Sequence, residues 1–168
     1  MSRLARHKLW IAAAALVIST GAATADPLIT KAQIAEAVPK IEACLLKQSQ
    51  ANAKAENCIG NIKGACDDAI SAGGEAAHAT CSDNETAVWD ALLNNIWAEM
   101  RDALQPKRFA DLKRVQKLWL AYRDAKCDFV NDIQSLDMMW NLMHSADCRM
   151  DETARRAIEL REILLSVP

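Results

Sequence analysis

Helix breakers are scarce in this 168-residue chain, and they are missing where they would matter most: between Glu75 and Val167 the single proline is Pro106 and there is no glycine. That absence excludes a turn-rich β-sandwich or barrel over most of the chain and leaves long helices as the natural outcome. No segment alternates apolar and polar residues in the way a half-buried strand requires. Histidine is nearly missing too, with only His78 and His144 beyond His7. There is no glycine-rich phosphate loop, no Gly-x-Ser-x-Gly elbow and no metal triad. The many acidic residues fall at spacings that suit solvated helix faces better than an acid and base pair, so catalysis is the poorest reading. The longest apolar run, Leu9 to Ile18, is half of the roughly 20 residues that a membrane-crossing helix needs.

That short run has a different use. Arg3, Arg6 and Lys8 precede it, and Ala23-Thr24-Ala25 offers a small-x-small cleavage pattern before Asp26, which together predict a cleavable secretion signal over residues 1–25. No cysteine stands at the cleavage point, so a lipid anchor is not expected, and no stable membrane anchor remains after cleavage. The chain carries 20 basic and 22 acidic residues, and removing the three basic residues of the leader leaves 17 against 22, or about −5. A mildly acidic exported protein argues against nucleic acid as a partner and suits a basic protein partner.

The apolar positions set the helices. Thr30 is a candidate cap for a stripe of Ile34, Val38, Ile41, Leu45 and Leu46, with a kink or restart expected at Pro39. Shorter helical pieces are expected near 57–62 and 65–72. Ser82-Asp83 reads as the cap of a strongly amphipathic helix through Trp89, Leu92, Leu93, Ile96, Trp97, Met100 and Leu104. Pro106 fits the first turn of the next helix, antiparallel to it, with a stripe of Phe109, Leu112, Val115, Trp119, Tyr122 and Phe129. A last helix is expected from about Asp151 to the end.

All six cysteines lie beyond the leader. Redox catalysis would want Cys-x-x-Cys and covalent haem attachment Cys-x-x-Cys-His, and neither is present. An even count in an exported chain predicts structural disulfides. Six cysteines admit fifteen pairings, which sequence alone does not decide. On one continuous helix Cys44 and Cys58 would stand roughly 21 Å apart, whereas a disulfide needs Cα atoms within about 7 Å, so each bond requires a turn between its partners. Residues 52–57, Gly73-Gly74 and residues 131–135 supply such turns. The expected pairs are therefore Cys44 with Cys58, Cys66 with Cys81, and Cys127 with Cys148, each closing a helical hairpin or helix-loop unit.

On the second long helix Trp119, Arg123, Asp124 and Cys127 form the pattern W-x3-R-D-x2-C, with Trp119, Arg123 and Cys127 four apart on one face. An arginine in an apolar stripe must find a carboxylate or several carbonyls; it either ties this helix to a neighbour or, with Asp124, meets a partner. The run from Gln116 to Cys127 resembles the signature of the small exported bacterial proteins grouped with the lysozyme inhibitor LprI. Cys66, Cys81, Glu85, Trp89-Asp90 and Leu93-Asn94 match the first half of that pattern, and Cys148, Thr153, Arg156 and Leu160 match its closing C-x4-T-x2-R-x3-L. The resemblance runs from Cys66 to about Leu164.

What the resemblance implies is an all-α, disulfide-braced antiparallel helical bundle in the periplasm or outside the cell. It would comprise an amino-terminal helical extension over 26–65, packed as one unit with an LprI-like domain over 66–168. It further implies a non-enzymatic inhibitor that binds a lysozyme or other glycan-cleaving enzyme and needs no cofactor. The segment 133–147, with Met139, Trp140 and His144, is the expected contact surface, supported at its base by Arg123 and Asp124. Two other classes compete. A periplasmic structural or adaptor protein needs no special residue. A copper-binding protein would use Met138, Met139, Met143, His144 and Met150, soft ligands that suit Cu(I), although methionine also fills core gaps.

Overall fold

The computed structural model describes residues 29–70, 74–133 and 138–167; the expected leader lies outside them. The described residues form five α-helices and no strand: α1 Lys31–Gln50, α2 Asn61–Ala69, α3 Gly74–Ala103, α4 Pro106–Ile133 and α5 Met138–Leu165, with a short 3-10 turn over Ala55–Cys58. The expected helical bundle is the observed architecture.

Helix α1 starts as its sequence predicts. The Gln33 amide N–H donates to the Thr30 hydroxyl at 3.3 Å and the Thr30 amide N–H donates to Gln33 Oε1 at 2.9 Å, a reciprocal capping box. The restart expected at Pro39 is not found, because the helix runs from Lys31 to Gln50 with Pro39 inside it. Pro39 and Ala35 are both exposed, so water can serve the Ala35 carbonyl that position 39 cannot.

Two helix starts also differ from expectation. Helix α3 begins at Gly74, whose φ of +65° suits glycine, and not at Ser82. Ser82 lies fully buried inside the helix, its hydroxyl within reach of the His78 carbonyl and the Asp147 carboxylate, so a residue that reads as a cap serves a helix contact instead. Helix α5 begins at Met138, thirteen residues before the expected start. Its early turns bury Ser145 and Ala146, small residues that leave no strong apolar stripe in the sequence.

Helices α3 and α5 pack along most of their length and form the spine. Their buried residues Val88, Trp89, Leu92, Ile96, Met100, Ala154, Ala157 and Leu160 join Ile41 and Leu45 of α1 and Cys58 in one core. Helix α4 packs mainly on α5 and meets α3 more narrowly, where the Trp97 and Phe109 rings lie 5.1 Å apart. Only Phe109 and Cys127 of α4 are buried, and its expected stripe is buried in part: Val115, Tyr122 and Phe129 are exposed.

Three disulfides close the turns, joining Cys44 to Cys58, Cys66 to Cys81 and Cys127 to Cys148 with Cα separations of 5.9, 5.6 and 5.5 Å. They tie α1 to the 3-10 turn, α2 to α3, and α4 to α5. The first bond closes a loop of 14 positions, for which chain entropy gives about 3 kcal/mol. Replacing Cys44 and Cys58 together by alanine is expected to lower the unfolding free energy by about that amount in a denaturant melt; an unchanged midpoint would count against a bracing role for this bond.

Candidate functional site

The residues shared with the resembled signature do two structural jobs. Glu85 of α3 is completely buried, and both its oxygens accept hydrogen bonds. Oε1 accepts from the Gly60 amide at 2.7 Å and from Trp89 Nε1 at 2.8 Å, while Oε2 accepts from the Ile62 and Lys63 amides at 3.0 and 2.7 Å. The amide groups opening α2 have no partner within their own helix, and Gly60 at its N-cap, with φ +88°, has no side chain to offer. Glu85 therefore caps α2 from another helix, and the N-terminal end of the helix dipole complements its carboxylate. Sequence reading placed Glu85 in the signature but gave it no role; the available signal was a glutamate one turn before Trp89, in line with the buried stripe.

The second job belongs to the α4–α5 seam. The Arg123 guanidinium lies over the Trp119 ring at 5.2 Å, donates through Nε and Nη2 to Asp124 Oδ1 at 2.9 and 2.8 Å, and through Nη1 to Thr153 Oγ1 at 3.3 Å. Arg156 approaches the same ring at 5.8 Å, is itself buried, and donates to Gln116 and Glu159. The two arginines, Trp119 and Thr153 thus form one contact between the helices, with cation–π and hydrogen-bonding components. Arg123 and Asp124, two of the expected partner-binding residues, are engaged within the protein.

The other three, Met139, Trp140 and His144, occupy the first turns of α5 at the closed end of the hairpin. Cys127 and Cys148 bond there, and Ser145 donates to the Cys127 carbonyl at 3.2 Å. Met138, Met139, Trp140 and Leu142 are all exposed, with Met138 the most open at 78%. Trp140 meets His144 edge to face with ring centroids 4.4 Å apart, and His144 Nε2 is buried without a hydrogen-bond partner. From Asp124 to Asp147 the sequence holds five aspartates against one lysine. Residues 134–137 of this segment lie outside the described residues. Of the described aspartates, Asp124 pairs with Arg123 at 2.8 Å, Asp128 with Arg149 at 2.6 Å, and Asp147 lies 4.0 Å from Lys63, so what the tip offers for docking on a protein surface is chiefly its apolar area.

The expected soft-metal set does not converge. Met138 is exposed and Met150 is in the core, and twelve residues on one helix separate them by about 18 Å, too far to share an ion. Among the described residues no group of three or more His, Cys, Asp or Glu side chains is placed to hold a metal.

Beside Glu85 lies a polar cluster that joins three helices. Asp67 of α2 pairs with Lys63 at 2.5 Å and with His78 of α3 at 2.7 Å, and Lys63 reaches Asp147 of α5 at 4.0 Å. Burial acts to raise the Asp67 carboxyl, but hydrogen bonds from Lys63 and His78 outweigh it and hold the group below its ordinary value of 3.8.

Residues 66–160, more than half of the chain, match the family model described as Lysozyme inhibitor LprI. No curated protein and no solved structure matches the chain.

Two outcomes follow from the clamp and the cluster. Replacing Glu85 by glutamine turns an amide NH2 towards donors that need an acceptor, which is expected to cost about 2–4 kcal/mol; a loss below about 1 kcal/mol in equilibrium unfolding would contradict the clamp. Because the folded-state value of Asp67 is depressed, its contribution is present above about pH 4 and is lost as pH falls through the folded value. Asp67→Asn should therefore destabilise the protein at neutral pH and flatten the acid limb of its stability profile, and an acid limb parallel to that of the unmodified protein would contradict the assignment.

Proposed function

Because the chain belongs to the lysozyme inhibitor LprI family, we propose that it acts in the cell envelope as an inhibitor that binds a lysozyme or related glycan-cleaving enzyme, without chemistry of its own. The observation that carries this reading is the closed end of the α4–α5 hairpin. A disulfide and the Ser145 hydrogen bond tie α4 at Cys127 to α5 at Ser145 and Cys148, which joins the base of this end before any partner is met. Met138, Met139, Trp140 and Leu142 supply apolar contact area, and the acidic balance of the chain beyond the leader, 17 basic against 22 acidic residues, favours a basic enzyme surface. Arg123 and Asp124 act as the base that positions this tip.

Export is part of the same proposal. The leader pattern over residues 1–25 and three disulfides support it, and no described helix is long and apolar enough to cross a membrane. The chain divides, on this reading, into the extension over 26–65 and the family domain over 66–168, with α1 completing the core of the latter.

The test is a bacterial-cell lysis assay in which the chain from Asp26 onwards is titrated against lysozymes of several classes. Inhibition is expected, weakening as salt is raised and falling roughly tenfold or more on Met139→Ala with Trp140→Ala. Unchanged lysis rates at micromolar protein across all lysozyme classes would refute the proposal.

A further inference from the structure

Helix α4 exposes a second apolar surface, distinct from the hairpin end. Val115, Leu118, Tyr122 and Phe129 are 49, 72, 56 and 61% exposed. Their spacings of three, four and seven residues make one heptad seam, with Ala125 at the intervening position, running about 21 Å along the helix. The bundle does not use this face, since α4 buries Phe109 and Cys127 and half-buries Leu112, Trp119 and Arg123 elsewhere on its circumference.

Charge selects the occupant. Residues 106–119 carry five cations and one anion, whereas 120–133 carry two cations and three anions. A basic enzyme would be repelled along the first half, so the target proposed above is a poor fit for this seam. A parallel second copy would set +4 against +4. An antiparallel second copy sets each basic half beside the acidic half of the other.

We propose that the chain forms a two-fold symmetric dimer through antiparallel packing of α4 on α4 of a second copy. The axis passes beside Leu118 and Tyr122, so that Leu118 of each copy meets Tyr122 of the other and Arg114 stands across from Asp128. The surface is self-complementary, as an isologous contact requires. Antiparallel pairing sends the two hairpin ends in opposite directions and leaves both free, giving a divalent molecule.

Light scattering on the eluted chain from Asp26 onwards, without any lysozyme, tests this independently of the inhibitor reading. Twice the chain mass is expected at high micromolar concentration. Leu118→Glu with Tyr122→Glu should give the single-chain mass with an unchanged circular dichroism spectrum, because both side chains are exposed. Arg114→Glu alone should raise the dimer Kd roughly tenfold or more, and adding Asp128→Arg should restore it. A single-chain mass for the unmodified protein, or a dimer that survives the double glutamate substitution, would overturn the proposal. So would Arg114→Glu tightening the dimer, as parallel pairing requires, or a failure of Asp128→Arg to restore it.

Discussion

A buried carboxylate with four N–H partners joins the opening of α2 to the middle of the bundle. Glu85 reaches from the middle of the bundle to the opening turn of α2 and takes the Gly60, Ile62 and Lys63 amides along with the indole of Trp89. A glutamate this deep would be costly if any of its acceptor capacity went unused. Its burial is therefore conditional on Gly60 adopting its left-handed conformation and on α2 beginning where it does. Two disulfides constrain the same region from either side, Cys44–Cys58 just before Gly60 and Cys66–Cys81 just after it. The family match begins at residue 66, yet the groups that satisfy Glu85 lie at 60–63, so the extension supplies what a signature residue of the family domain needs.

The division of labour within the signature follows from burial. Glu85, Trp89, Trp119, Arg123, Thr153 and Arg156 are spent on the clamp and on the α4–α5 seam, although Arg156 keeps one buried guanidinium nitrogen, Nη2, without a hydrogen-bond partner. What they leave outside is set by the intervening residues: the apolar turns at the start of α5 and the seam on the outer side of α4.

Sequence alone made the helical class legible, since Pro106 and the long breaker-free stretch allow little else, and it marked Thr30 as a candidate cap, to which the structure adds the reciprocal bond from Gln33. The cysteine pairs were legible because helical rise forbids a bond without a turn. The start of α5 was not, because Ser145 and Ala146 are buried for their small size and carry no apolar signal. The start of α3 was obscured by Ser82, whose hydroxyl is suited equally to capping and to an interhelical contact. Periodicity on α4 gave an apolar face but not its neighbour, and the outer part of that face proved exposed. For the candidate site, Met139 and Trp140 stood out as apolar residues in a segment tied by Cys127 and Cys148, whereas the engagement of Arg123 with Thr153 depends on a contact thirty residues away that no local pattern encodes.

Native-state hydrogen exchange at the Gly60, Ile62 and Lys63 amides tests the central claim most directly. If Glu85 joins the extension to the family domain as a single cooperative unit, these three amides exchange only through global unfolding, with the same opening free energy as the core amides of α3. Exchange of the three by low-energy local opening, while α3 stays protected, would contradict it.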